Sequence, residues 1–182
     1  MVLPDPEQQR TRLTIIGLGN EMLSDDGLGI RVVRELQKRL TDRSVEFIEL
    51  SVGGLQLFDY LIGTEECIIV DAIKTGTQPA GTMLRFVQTP DNDPVRLTSS
   101  HQIDLGQILG LAKFMGAELP RRLTVYGIEA DDITTFRETC TPHVLHAIPL
   151  LVEAICEDVQ STSAAPSMCI DEWQILSEPV TH

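Results

Sequence analysis

Positive charge is scarce in this chain: 14 Lys and Arg stand against 27 Asp and Glu, for a formal net charge of -13 over 182 residues. A surface of that sign repels phosphate backbones and anionic bilayers, so neither nucleic acid nor a membrane is an expected partner. Long apolar runs are missing as well, none approaching the roughly 20 residues that a membrane span needs. The first residues are polar, carry Pro4 and Pro6, and lack the apolar core of a signal peptide. Cys67, Cys140, Cys156 and Cys169 form no C-x-x-C pair, which argues against a zinc knuckle and a disulfide framework. These absences together predict a cytoplasmic protein with reduced thiols, with Cys67 and Cys156 as core residues inside apolar runs.

What is present fits one domain able to bury roughly 70% of its unfolded surface. Leu13 to Leu18 reads as a strand ending in glycines, and Gly27 to Leu40 as a helix with apolar positions at Ile30, Val33, Leu36 and Leu40. Val45–Leu50, Cys67–Ala72, Thr82–Val87 and Leu123–Ile128 read as further strands. Gly54–Leu61, Gln102–Met115 and a stretch from Pro142 to about Asp158 read as helices, the last with Thr141 as its N-cap and a kink at Pro149. This alternation predicts an α/β fold: a single three-layer domain, with a mostly parallel five-stranded sheet and helices on both faces. The expected organisation is a flexible N-terminus over 1–12, the α/β domain over 13–158, and an acidic, flexible tail over 159–182. From Glu157 onward there are five acids and no Lys or Arg, and the Ser, Ala and Pro content rises from Ser161.

The turn after the first strand invites a dinucleotide-binding reading, which fails on spacing. Gly17, Gly19, Gly27 and Gly29 leave Met22 where G-x-G-x-x-G needs its third glycine, and no G-K-[ST] follows. Glu21, Asp25 and Asp26 in the same turn would repel a pyrophosphate at the helix N-terminus. Asp25 or Asp26 suits a helix cap. Glu21 is not needed for capping and stands at the C-terminal edge of the sheet, where open parallel sheets bind ligands. Asp71 ends the most apolar strand and arrives at that edge too; His101 precedes a helix there. A Glu, an Asp and a His from three loops suit a divalent first-row metal with positions open to water, or general acid and base work without one. Ser99 and Ser100 lack the glycine setting of a nucleophile elbow. His143 and His146 fall at helical surface positions.

The run Gly17-Leu18-Gly19-Asn20-Glu21-Met22-Leu23-Ser24-Asp25-Asp26-Gly27-Leu28-Gly29 resembles the first motif, G-x-G-N-x-x-x-x-D-D-G-x-G, of the endopeptidases that mature nickel-iron hydrogenases. Val70-Asp71-Ala72 resembles their second motif, Ser99-Ser100-His101 the third, and Tyr126-Gly127-Ile128-Glu129 the late G-I-E segment. The resemblance implies a protease that removes the C-terminal extension from the hydrogenase large-subunit precursor once nickel is inserted, with the substrate's nickel as the recognition element. It implies that Glu21, Asp71 and His101 bind that metal, as catalytic residues with Asp26 as a helper, in an aspartic-type or metal-assisted hydrolysis by a monomer. After the second strand the family commonly has an Asp followed by small residues; here Glu49 is followed by Leu50, Ser51 and Val52. Asp104, separated from His101, is left out of the site. A non-catalytic metallochaperone or docking module for the same large subunit is the competing expectation.

Overall fold

The computed structural model describes residues 11–42, 44–51, 55–88, 105–161 and 170–177. Ten elements alternate along them: β1 (Thr11–Leu18), α1 (Leu28–Arg39), β2 (Val45–Leu50), α2 (Leu55–Leu61), β3 (Thr64–Ile73), β4 (Met83–Gln88), α3 (Leu105–Met115), β5 (Arg122–Glu129), α4 (Pro142–Ser161) and β6 (Ile170–Ser177). A short 3-10 turn, Ser24–Gly27, leads into α1. The strands form one sheet in the order β2-β1-β3-β5-β4-β6. β1, β2, β3 and β5 pair in parallel, while β4 runs antiparallel to both β5 and β6.

The apolar runs of β1, β3 and β5 are explained by burial on both faces. On one face Ile15, Ile68, Val70, Tyr126 and Ile128 pack under α1 and α4, whose Val32, Leu36, Val144 and Leu151 complete that core. On the other, Ile16, Leu18, Cys67, Ile69, Leu123 and Val125 pack under α2 and α3 through Leu57, Leu61, Ile108 and Leu109. The three-layer α/β reading therefore holds. Among the described residues no helix is long and apolar enough to cross a membrane.

Two expectations are corrected. The sheet has six strands, not five: residues 170–177, read as part of a flexible acidic tail, pair with β4 as its outer neighbour. Asp158, counted with the solvated charges at the end of the last helix, is instead bound. Its carboxylate accepts from Arg85 and Arg122 at 3.1 Å each and from the Tyr126 hydroxyl at 2.9 Å, which ties the end of α4 to β4 and β5. Burial pushes the Tyr126 phenol well above its ordinary value, and the nearby Asp158 charge adds to the shift.

The strand order places the site. The chain leaves β1 toward β2 on one side and returns, through α2, to β3 on the other, so β1 and β3 flank the point where the winding reverses. The start of α1 is pressed onto this junction. A Cβ at Gly29 would run into the carbonyl oxygens of Leu18 and Val70, and one at Gly19, whose φ is +145°, into the carbonyl oxygen of Asp26. These glycines exist for backbone-to-backbone contact. Gly29→Ala is expected to cost about 3 kcal/mol and lower Tm by roughly 6–12 °C. Gly110→Ala, at a helical position with nothing within 4 Å of the new methyl, should be neutral or raise stability by about 0.5–1 kcal/mol; thermal unfolding followed by circular dichroism compares the two.

Candidate active site at the β1–β3 junction

The turn from Asn20 to Gly27 folds back on itself with its own polar groups. The Asp26 carboxylate accepts the Asn20 amide at 2.9 Å, the Asn20 side-chain oxygen accepts the Met22 amide at 3.0 Å, and the Leu23 and Asp26 amides donate to the carbonyls of Asn20 and Leu23. Neither Asp25 nor Asp26 caps a helix: the 3-10 turn and α1 both start without a side-chain cap hydrogen bond. That expectation gives way because both carboxylates are needed elsewhere.

Asp25 is fully buried and reaches across to the segment between β5 and α4. It accepts the amides of Asp131 at 3.0 Å, Asp132 at 2.9 Å and Thr141 at 2.6 Å, and the Thr141 hydroxyl at 3.0 Å. Thr141 does stand just ahead of α4, but its hydroxyl serves Asp25. Backbone bonds reinforce the join: Ser24 donates to Arg137, Arg137 to Met22, and Asp25 to Asp132. Glu129, the last residue of the segment read as G-I-E, does similar work for the connection from β3 to β4. It is buried, and its carboxylate accepts the Thr75 hydroxyl and the Gly76 amide, both at 2.8 Å.

Asp71 is not at the end of its strand; β3 continues to Ile73. The register nevertheless puts it at the junction, one residue past the Gly17–Val70 pair with β1 and level with Gly127 on β5. It is buried at 2% exposure and, by strand alternation with Cys67 and Ile69, lies on the face covered by α2 and α3. Asp26, 3% exposed, sits over Gly19, one residue beyond Leu18, in a turn that packs against β3. Both acids are thus buried near the C-terminal ends of the central strands, Asp26 in the turn after β1 and Asp71 on β3.

Glu21 pairs with α1. Both of its oxygens are taken by Arg34 of α1, at 2.7 and 2.8 Å, and the same guanidinium holds Glu49 at the end of β2 at 3.0 and 2.8 Å. The carboxylates hold the Arg34 guanidinium further above its already high value, Glu49 more than Glu21. Sequence reading missed Arg34, since nothing in a helical Arg marks it as the partner of acids 13 and 15 positions away. Ser99, Ser100, His101 and Asp104 lie outside the described residues. Among the described residues no group of three His, Cys, Asp or Glu is assembled for a metal. His143 and His146 are on exposed positions of α4, as expected, and the Cys67 thiol is buried in the sheet, where desolvation raises its pKa strongly. Replacing Asp25 by Ala leaves three amides and a hydroxyl without their acceptor. The expected loss is about 3–5 kcal/mol, read by denaturant unfolding, with new protease cleavage inside 131–141 under native conditions.

Comparison with known proteins places the chain in a family. A family model described as hydrogenase maturation protease matches residues 30–158. The hydrogenase 2 maturation protease of Escherichia coli K12 is 29% identical over 150 residues, covering 80% of this chain and 84% of that protein. The hydrogenase expression/formation protein HupD of Rhizobium leguminosarum bv. viciae is 30% identical over 158 residues, covering 85% and 77%. Among solved structures, the hydrogenase maturating endopeptidase HybD from E. coli superposes with a TM-score of 0.72 at 26% identity, covering 83% of this chain and 93% of that one. The α/β fold and these matches lead to one conclusion: the chain belongs to the hydrogenase maturation protease family, whose members are peptide-bond hydrolases.

Proposed function

We propose that this chain is the endopeptidase, acting as a cytoplasmic monomer, that removes the C-terminal extension from the large-subunit precursor of a nickel-iron hydrogenase after nickel insertion. The nickel belongs to the substrate and serves as the recognition element. The observation that carries the reading is the pair of buried acids, Asp26 and Asp71, at the switch point of a hydrogenase maturation protease fold.

In this proposal Asp26, Asp71 and His101 hold the nickel, and Asp26 takes the ligand position that the motif spacing gave to Glu21. Two features support the exchange. Glu21 is spent on a two-oxygen bond to Arg34, and withdrawing it would cost that charge-assisted pair. Asp26 is buried in a turn that packs against β3, the strand that carries Asp71, and that Gly19 and Gly29 make close-packed. Glu21 then becomes a surface partner that fixes α1 against the turn and β2.

The chemistry follows from the donor set. Two carboxylates and an imidazole suit nickel and leave positions for water. A metal lowers the pKa of bound water from 15.7 toward about 7, so hydroxide is available at neutral pH to attack the adjacent peptide carbonyl. A carboxylate-only attack would require one of the two acids to stay protonated beside the other; the metal-assisted route needs both ionised, which suits their role as ligands. Clasping the metal also fixes the scissile bond, which lies next to it, and converts recognition into positioning.

Incubation with nickel-loaded precursor should shorten it by the mass of the extension. Formation of a stable complex at unchanged mass would point to the docking-module alternative instead. Asp26→Asn, Asp71→Asn and His101→Ala should each reduce cleavage at least 100-fold, on the order of the loss of one positioned catalytic group, while Glu21→Gln stays within about threefold of the parent rate. A dead Glu21→Gln beside an active Asp26→Asn would return the ligand position to Glu21. Precursor made without nickel should remain uncut; full cleavage of it would sink the gating role.

A further inference from the structure

The turn between β1 and α1 is tied from outside by a single side chain. Arg34, nearly two turns into α1, sends its guanidinium back to the turn and out to β2 at once. It donates to both Glu21 oxygens, at 2.7 and 2.8 Å, and to both Glu49 oxygens, at 3.0 and 2.8 Å. All three side chains reach solvent, Arg34 at 46% exposure, Glu21 at 33% and Glu49 at 39%. Ion pairs in water add little to stability. What a guanidinium held edge-on by two carboxylates adds is a fixed geometry.

Glu21 is where that geometry enters the turn. The residues on either side of it make the turn's inner contacts: the Asn20 amide donates to the Asp26 carboxylate at 2.9 Å, and the Met22 amide to the Asn20 side-chain oxygen at 3.0 Å. The main chain of Glu21 also lies against Gly27, where a Cβ would come within 2.7 Å of the Glu21 Cα. The stretch 20–22 is thus folded onto 26–27, and the direction from which the Asn20 amide meets Asp26 depends on where Glu21 is held. The far end of the tie is firm. Glu49 stands on β2 in register with Gly17 of β1, and the Gly19 amide donates to the next carbonyl, that of Leu50, at 3.0 Å.

We infer that Arg34 is a positioning residue for the cleavage reaction: by holding Glu21 to Glu49 it fixes Asn20, and through the Asn20 amide it sets the direction of the Asp26 carboxylate. The inference rests on the reading of Asp26 as a ligand of the substrate's nickel. Arg34 acts through Glu21 and Asn20, not on the metal or the peptide. A lysine cannot do this work, because an ammonium is a point charge and does not hold two carboxylates edge-on. Glu21→Gln keeps a carbonyl oxygen that accepts from Arg34, so part of the tie survives and the effect is mild.

Amide hydrogen exchange and steady-state processing of nickel-loaded precursor by the full chain test this together. Arg34→Met should leave Tm near the parent value and speed exchange of the Asn20 amide by about tenfold. It should lower kcat about tenfold with KM within about threefold, because a carboxylate turned aside still meets the metal but holds the peptide off the line of attack. Glu21→Ala, which cuts the tie from the turn side, should reproduce both changes, and Arg34→Lys should behave like Arg34→Met. Added to Asp26→Asn, Arg34→Met should alter the residual rate by less than about twofold, since both act on one contact. Lys38→Met, one turn further along α1 and paired with Glu35, is the control and should move none of these. Parent activity in Arg34→Met or Arg34→Lys overturns the inference. So does a slow Arg34→Met whose Asn20 amide exchanges at the parent rate, or a full further loss in the Asp26→Asn background. The parent reading is judged apart: if Asp26→Asn itself cleaves normally the ligand assignment fails, whereas a dead Asp26→Asn beside an unaltered Arg34→Met removes only the positioning role.

Discussion

One buried carboxylate holds the working end of this molecule together. Asp25 lies in a turn next to β1, and each of its partners comes from the segment after β5, more than a hundred positions along the chain. A buried ion is tolerated only when its lone pairs are satisfied, and here four donors do so. The arrangement joins the first and last thirds of the chain at a place where the sheet itself makes no bond between them, since β1 and β5 are separated by β3. The acid beside it, Asp26, is buried in the turn that this join fixes.

The sheet supplies the other half of the constraint. Opposite winding around β1 opens a crevice between the ends of β1 and β3, and glycines at 19 and 29 let the helix start close over it. A nucleotide-binding fold uses the same crevice with glycines spaced to admit phosphate. In this chain the glycine faces are filled by the protein's own carbonyls, and the turn carries acids where a phosphate loop presents free amides.

Much of this was legible beforehand. The parallel core could be read because β1, β3 and β5 are continuous apolar runs, and α1 because its apolar spacing is regular; Val45–Leu50 was read with its bounds as they stand. Asp71 was legible as a polar residue within an apolar run, although the strand continues past it to Ile73. What could not be read was how a turn folds. Glu21 and Asp26 are both acids within one motif, and linear spacing carries no information on which is buried within the turn and which pairs with Arg34. The partners of Asp25 and Glu129 are similarly hidden, because tertiary hydrogen bonds leave no periodic trace. β6 escaped notice for a different reason: its acids and the Ser, Ala and Pro residues ahead of it outweighed the strand-forming Ile170, Trp173 and Ile175 in composition, while pairing depends on backbone amides that composition does not report.

That outer strand has a consequence for solubility rather than for catalysis. β4 is antiparallel and next to last in the sheet, and without β6 its outward amides and carbonyls would form an open edge, the usual template for one chain adding to another. β6 takes that place, so that edge of β4 is paired within the same chain. The most acidic end of the chain therefore closes the border of the sheet on the side away from the crevice, keeping neighbouring molecules apart while the other border stays with β2 and its Glu49.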